Sequence, residues 1–536
     1  MHNNEIPKDG IAGLKQNWKG DLLSGFLVFL IALPLCLGIA MASGFPPIGG
    51  IFTAIIGGLI VGPLMGSRLS IKGPAAGLIA IAVACVADLG QGDAMAGYRL
   101  ALAVVVVAGL VQVGFALLRL GRFVDFFPTA AVHGMLAAIG IIIIAKQFPV
   151  MMGVKPDASN PLAILAEIPF MFAKLNPEVA IIGGLSLLIL FGLPLIKIGW
   201  VKKIPAPMVV LAMAIPLGFA FDLAHEHKYL FLDHEYILGP KFLVTLPDNI
   251  TDGITFPDFS QIFSGTSFKY IIMFALVGSL ESLLTVKAID GLDPYHRKSN
   301  PNRDLLAVGA GNTLSGLIGG LPMIAEVVRS SANVNNGAKT RWANVFHGGL
   351  LLFFVALFPN LIHQIPLAAL GAMLVFTGTR LASPKLFKET YRVGKEQIAV
   401  FLVTIFVTLA EDLLVGIAAG ILLELIIYVI SGAKFKNLFK LRIDSTELQE
   451  EVHLKPRESA TFTNYLSFKS YLDKIPLGKK VYIDLSEMKI VDHTSMEQLN
   501  HFEHDYARNG GSVHILGLDK LKANSSHPLS FRKAHK

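Results

Sequence analysis

The stretch "GSRLSIKGPAAGLIA", Gly66 to Ala80, decides the fold once it is set beside "GLPMIAEVVRSSANVNNGAK", Gly320 to Lys339. Each opens as an extended or glycine-broken piece and turns helical after a proline, Pro74 in one and Pro322 in the other. Proline suits a helix's first turn, because the N–H it lacks would have found no intrahelical acceptor there. Two interrupted segments in corresponding positions of two halves, about seven spans apart, are the sequence mark of a transporter built as an inverted repeat. Helices that begin near mid-membrane turn their free N–H groups, and dipole ends worth roughly half a positive charge, into the gap between them. Such a gap stabilises an anion. The alternative is that Gly and Pro merely let helices pack closely, as membrane helices often do.

Composition fixes the solvent. The 536 residues are 53% hydrophobic and only 16% charged, far more apolar than a soluble chain of this size. Apolar runs recur from Asp21 to Gly432, which at roughly 20 residues per crossing leaves room for about fourteen spans. The fold expected is an α-helical polytopic membrane protein, followed after Lys434 by ordinary soluble sequence. No short basic, apolar and small-residue run marks a cleaved leader, so the first span is expected to be retained.

Orientation comes from Lys and Arg in short loops. Lys8, Lys15 and Lys19 precede the first span. Ser67 to Lys72, Arg119 to Arg122, Lys197 to Lys203, Lys287 to Arg303, Lys339 to Arg341, Arg380 to Lys395 and Lys434 to Arg442 follow even-numbered ones. The loops between them are poorer in basic residues. Both termini are thus expected in the cytoplasm, and the formal charge of +7 marks the cytoplasmic face, with no nucleic-acid role. Cys36 and Cys85 fall inside spans and are expected to pack as small apolar groups. The segment "NPLAILAEIPFMFAKLNPE", Asn160 to Glu178, is too short and interrupted to cross, and is expected along the outer interface. With no phosphate loop, nucleophile–histidine set or zinc spacing, the chain is expected to be neither an enzyme nor a holder of a cofactor or structural metal.

Acidic side chains inside spans stand out, because a charge at mid-membrane costs about 2.5–3.5 kcal/mol even on the lenient insertion scale. Glu281, in "YIIMFALVGSLESLLTVKAIDG", shares a helix face with Thr285. It is either a functional carboxylate or a hydrogen-bonding partner of a neighbouring broken helix. Glu326, Arg329 and Asn333 share a helical stripe, on which Glu326 could simply neutralise Arg329. His133, alone in the fifth span, is expected to make a packing hydrogen bond.

The motifs "GSRLSIKGPAAGLIA", "FPTAAVHGMLAAIG", "GSLESLLTVKAID" and "VVRSSANVNNGAKT", followed by "VYIDLSEMKIVDHTSMEQL", resemble the sulfate permease (SulP) family of anion transporters over nearly the whole chain. The resemblance implies fourteen spans as two inverted repeats of seven, arranged as core and gate domains, with a C-terminal STAS domain. It implies an anion site at Gly73, Pro74, Ala75, Ala76 and Gly77 of the third span and at Ala325, Glu326, Val327, Val328 and Arg329 of the tenth, walled by Ile31, Leu35 and Ile39 of the first. Glu281 and Thr285 match an aspartate and threonine of sodium-coupled bicarbonate carriers. The longer carboxylate points instead toward proton coupling, which leaves Na+ or H+ as the co-transported ion. Glu326 departs from the small neutral residue usual in the family, and nucleobase–cation symporters, which share this fold, carry glutamates on both spans.

Domain limits follow: residues 1–20 as a cytoplasmic N-terminus, 21–433 as the transporter with repeats at about 21–222 and 265–433, and 439–536 as the STAS-like domain. In that domain "KKVYIDLSEM" reads as a strand, "DHTSMEQLNHFEHDYARNGG" as a helix capped by Asp492, and "SVHILGLD" as a second strand. Thr494 falls where STAS antagonists carry a phosphorylated serine. The function expected is secondary active uptake of bicarbonate or sulfate by a homodimer in the inner membrane. A symporter of neutral nucleobases, or a STAS-based sensor that no longer transports, stand as alternatives, and the STAS domain leaves room for a cytoplasmic partner.

Overall fold

The computed structural model describes all residues except 1–5, 122–126, 159, 197–203, 232–233, 248, 509 and 535–536. The basic loop Lys197 to Lys203 and Arg122 therefore lie outside the described residues. The chain divides into two compact units, one of residues 1–121 with 139–380, the other of 122–138 with 381–536.

Among the described residues eight helices are long and apolar enough to cross a membrane, and shorter apolar or interrupted segments complete two sets of seven. The first set runs Gly10–Ala42, Pro47–Leu64, the broken third span, Ala94–Leu117, Thr129–Met152, Pro177–Leu195 and Ala206–Ala220. The second runs Gly265–Leu292, Pro301–Leu317, the broken tenth span, Trp342–Leu357, Leu367–Leu381, Lys395–Ala410 and Leu413–Ile430. Side-chain oxygens begin many of them: Asp93, Asn176, Ser264, Asn300 and Asp412 each accept from a first-turn amide, satisfying donors that a helix cannot satisfy itself. The segment expected at the interface forms an 11-residue helix, Pro161–Met171, which at about 1.5 Å per residue is too short to cross.

The third span consists of a strand, Lys72–Pro74, a tight turn, Ala76–Leu78, and a helix, Ile79–Gly90. The tenth consists of a strand, Met323–Ala325, and a helix, Val327–Asn335. The two strands pair antiparallel, with Lys72 opposite Ala325 and Pro74 opposite Met323. The pairing is extended by Ala75 N–H to Pro322 O at 3.1 Å and Glu326 N–H to Ile71 O at 2.9 Å. Extended backbone at this depth is tolerated only where its polar groups are met inside the protein. Here Asn312 of the ninth span contributes, accepting from Met323 N at 2.5 Å and donating to Met323 O at 3.2 Å.

In the second unit a seven-stranded mixed sheet has Glu451–Ala460 flanked by parallel Lys480–Asp484 and Met488–Val491, with Ser512–Leu516 beyond and Arg442–Glu447 antiparallel to it. The stretch "KKVYIDLSEM" thus splits: its first half is one strand and Met488 opens another. The helix His493–Arg508 begins where expected, with Asp492 Oδ1 accepting from Ser495 N at 2.7 Å. Val481, Ile483, Met496, Leu499 and Phe468 form the core between sheet and helices.

Candidate functional site

The paired strands bring the starts of the third- and tenth-span helices together, and three charged groups converge there. Arg329 sits in the first turn of the tenth-span helix and is 0% exposed. Its Nη1 donates to Cys36 Sγ of the first span at 3.3 Å, while Nε and Nη2 have no partner. The guanidinium lies against Gly73, where an added Cβ would come within 2.4 Å of Nη1. Cys36, expected as an apolar packing group, is instead a ligand of this arginine, a role that no local sequence signal announces.

Glu326 is not on the helical stripe. Its backbone is extended (φ −91°, ψ 119°), the helix begins one residue later at Val327, and its carboxylate does not cap that helix. Instead Glu326 Oε1 accepts from the N–H of Ala76, in the first turn of the third span, at 3.2 Å. Among the described residues no ion pair within 4 Å joins Glu326 to Arg329; the guanidinium acts on the carboxylate at longer range. Asn333, one turn after Arg329 in the same helix, stays on its face and is buried. It accepts from Ser24 Oγ at 2.7 Å and donates to Leu69 O at 2.8 Å, bracing three spans.

Glu281 is 9% exposed in the eighth span, and its Oε2 has no hydrogen-bond partner. Its carboxylate packs directly on Gly77, where a Cβ would lie 2.0 Å from Oε1; only glycine leaves room for it. One residue on, Ser282 Oγ accepts from Ala325 N at 3.0 Å, so the eighth span also satisfies the tenth-span strand. Thr285 is buried one turn further along.

Of the other expected residues, Pro74, Ala75, Ala76 and Ala325 are buried at this junction and Val328 is half-buried. Val327, by contrast, is 48% exposed, so the first turn of the tenth-span helix has an open side. Ile31 and Leu35 pack into an apolar cluster with Met151, Val179, Ile182 and Met373, and Ile39 is buried. From the first span it is Cys36 that reaches Arg329. His347 of the eleventh span, fully buried with both ring nitrogens unpartnered, was not among the expected residues, though a lone histidine in "WANVFHGGLL" is the kind of signal that marks one. Nearby, Lys72 is also 0% exposed but makes an ion pair with Asp304 at 2.6 Å. Among the described residues no group of three or more His, Cys, Asp or Glu side chains is placed to hold a metal ion.

In the second unit Thr494 is 1% exposed, and its Oγ1 accepts from Thr129 N at 3.2 Å. Asp492 Oδ2 accepts from Phe462 N at 2.7 Å and from the Tyr428 hydroxyl at 2.5 Å. Burial pushes the Asp492 carboxyl above the ordinary range, against the pull of these donors. His133 lines a cavity of about 340 Å³ with Gln397, His493, Glu497 and His527.

Residues 18–404 match the sulfate permease family. The bicarbonate transporter BicA of Picosynechococcus is 25% identical over 409 residues, covering 76% of this chain and 69% of its own. The sodium-independent sulfate anion transporter of Bos taurus is 23% identical over 532 residues, covering 93% of this chain and 84% of its own. The murine anion transporter Slc26a9, in its inward-facing state, has the same fold with a TM-score of 0.65 at 15% identity, over 93% of this chain and 85% of that one.

Proposed function

The chain belongs to the sulfate permease family, and on that premise we propose that it is a secondary active transporter of a small inorganic anion, bicarbonate or sulfate. The observation that carries the reading is Arg329: a fully buried cation with two unpartnered nitrogens. Desolvating a charge costs several kcal/mol unless it is paired, and a guanidinium fork matches an oxyanion well. The adjoining helix starts add backbone donors and positive dipole ends, with Gly73, Pro74, Ala75, Ala76 and Gly77 on one side and Ala325, Glu326, Val327 and Val328 on the other.

In this mechanism the anion docks beside Arg329, and a co-transported H+ or Na+ engages Glu281 and Thr285. The loaded core, moving past the gate as an elevator, then exposes the site to the opposite side. Neutralising the carboxylate along with the anion removes most of the charge that would otherwise be dragged through an apolar barrier. Ile31, Leu35 and Ile39 of the first span wall the anion site. The protein acts in the inner membrane as a homodimer with both termini cytoplasmic; residues 21–433 form the transporter in repeats of about 21–222 and 265–433, and 439–536 form its STAS domain. Uptake of labelled sulfate and bicarbonate beside uracil and xanthine, in liposomes with imposed sodium and proton gradients in turn, tests the reading. Anion flux driven by one gradient is expected; nucleobase flux without anion flux, or no flux at all, sinks it.

A further inference from the structure

The Ala76 N–H is a first-turn donor at the start of the third span, and its acceptor is neither backbone nor a local cap. It is the carboxylate of Glu326, a residue that stands at the N-cap of the other broken helix and leaves that helix uncapped. Resting on the anion-transport reading above, we infer that Glu326 is a tethered anion. Its carboxylate holds the Ala76 amide while the site is empty, and the transported anion takes that amide only when a proton has converted Glu326 to the neutral acid. The proton adds to a carboxylate oxygen, the N–H···O⁻ contact is exchanged for one to the incoming anion, and no other group changes its covalent state.

Three further observations fit. Glu281 Oε2, unpartnered, faces the next residue of the same turn, Gly77, so with Glu326 ionised this short turn is bordered by two carboxylates before any substrate arrives. Arg329, the cation in electrostatic reach of Glu326, spends its one hydrogen bond on Cys36 and keeps two nitrogens open. Cys36 is in electrostatic reach of Glu326 and His347 in reach of Arg329, and both are fully buried. An anion entering beside an ionised Glu326 would meet like charge at close range, which costs affinity; beside the neutral acid it meets Arg329 and a released amide. Affinity for the anion is therefore linked to one proton at a site distinct from Glu281.

The test is the pH dependence of labelled sulfate uptake by the full-length chain in liposomes, since sulfate keeps its charge across the neutral range. For the wild type, the KM for sulfate is expected to rise with pH, approaching about tenfold per unit on the alkaline side, the slope of one linked proton. Glu281→Gln, which removes the coupling carboxylate, is expected to keep the slope, and in that background Glu326→Gln is expected to give a low KM that no longer changes with pH. If the Glu326→Gln variant melts below the wild type in detergent, Glu326→Ser is the substitute, with the same flat profile expected. A wild-type slope retained without the Glu326 carboxylate, a flat wild-type profile, or a KM fixed at the wild type's alkaline value overturns the tether alone. Absence of both sulfate and bicarbonate flux in the wild type overturns the anion reading itself.

Discussion

Lys72 and Arg329 are two fully buried cations on the same pair of antiparallel strand–helix units, and the protein treats them in opposite ways. Lys72 is closed off by Asp304 at 2.6 Å. Arg329 is given a thiol, a weak acceptor, and left with two nitrogens open. The first arrangement is closed by an ion pair, whereas the second keeps two donors open. It is on those open donors, rather than on burial and charge alone, that the proposed anion site rests.

That contrast can be broken by exchange. Lys72→Met leaves the Asp304 carboxylate buried without its partner and is expected to destabilise the protein by about 3–5 kcal/mol, read as a lower melting temperature in detergent. Arg329→Met removes a charge that has no such partner. Its melting temperature is expected to hold or rise, while sulfate or bicarbonate uptake falls about a hundredfold, about 2.7 kcal/mol of lost binding. Equal loss of stability in the two variants would erase the distinction. A smaller effect sharpens it: Gly77→Ala pushes a Cβ into the Glu281 carboxylate and is expected to cost about 1–3 kcal/mol, with uptake reduced and its dependence on the cation gradient altered. The smallest test lies in the second unit, where Asp492 is a carboxylate with every near donor in place. Tyr428→Phe removes one of them and is expected to lower that unit's unfolding free energy by about 1 kcal/mol, measured by denaturant melting, with transport otherwise retained.

Much of this is legible in sequence because Gly and Pro act locally. The breaks at Pro74 and Pro322 announce themselves, although Pro74 ends the third-span strand and Pro322 precedes the tenth-span strand rather than either opening a helix; the apolar segments and the cap at Asp492 are legible too. Glu281 is legible because an acid inside an apolar run has few innocent explanations. Glu326 is where local reasoning misleads. The spacing of Glu326, Arg329 and Asn333 suits one helix, but residues 323–325 are held as strand by residues 72–74, which delays the helix and turns the carboxylate toward a distant partner. Cys36 and Ser282 are missed for a related reason. Their chemistry is supplied by segments that only tertiary structure places beside them. The reading of "KKVYIDLSEM" as one strand overshoots the first strand, which ends at Asp484, and misses the second, Met488–Val491, because nothing local says where a chain changes its neighbour.

The antiparallel pair at the centre also carries a consequence for how the chain is made. The Ala76 amide and the carboxylate that receives it are 250 residues apart, so a ribosome delivers the third span to the membrane long before the tenth exists. During that interval the third-span strand has no ladder, and unpaired backbone in hydrocarbon costs several kcal/mol per group. The paired strands, and with them the proposed anion site, can therefore be completed only once the tenth span has been made. A truncation after Ala220 would then be expected to insert but remain open to proteolysis near Lys72, while one that extends past Asn335 would not.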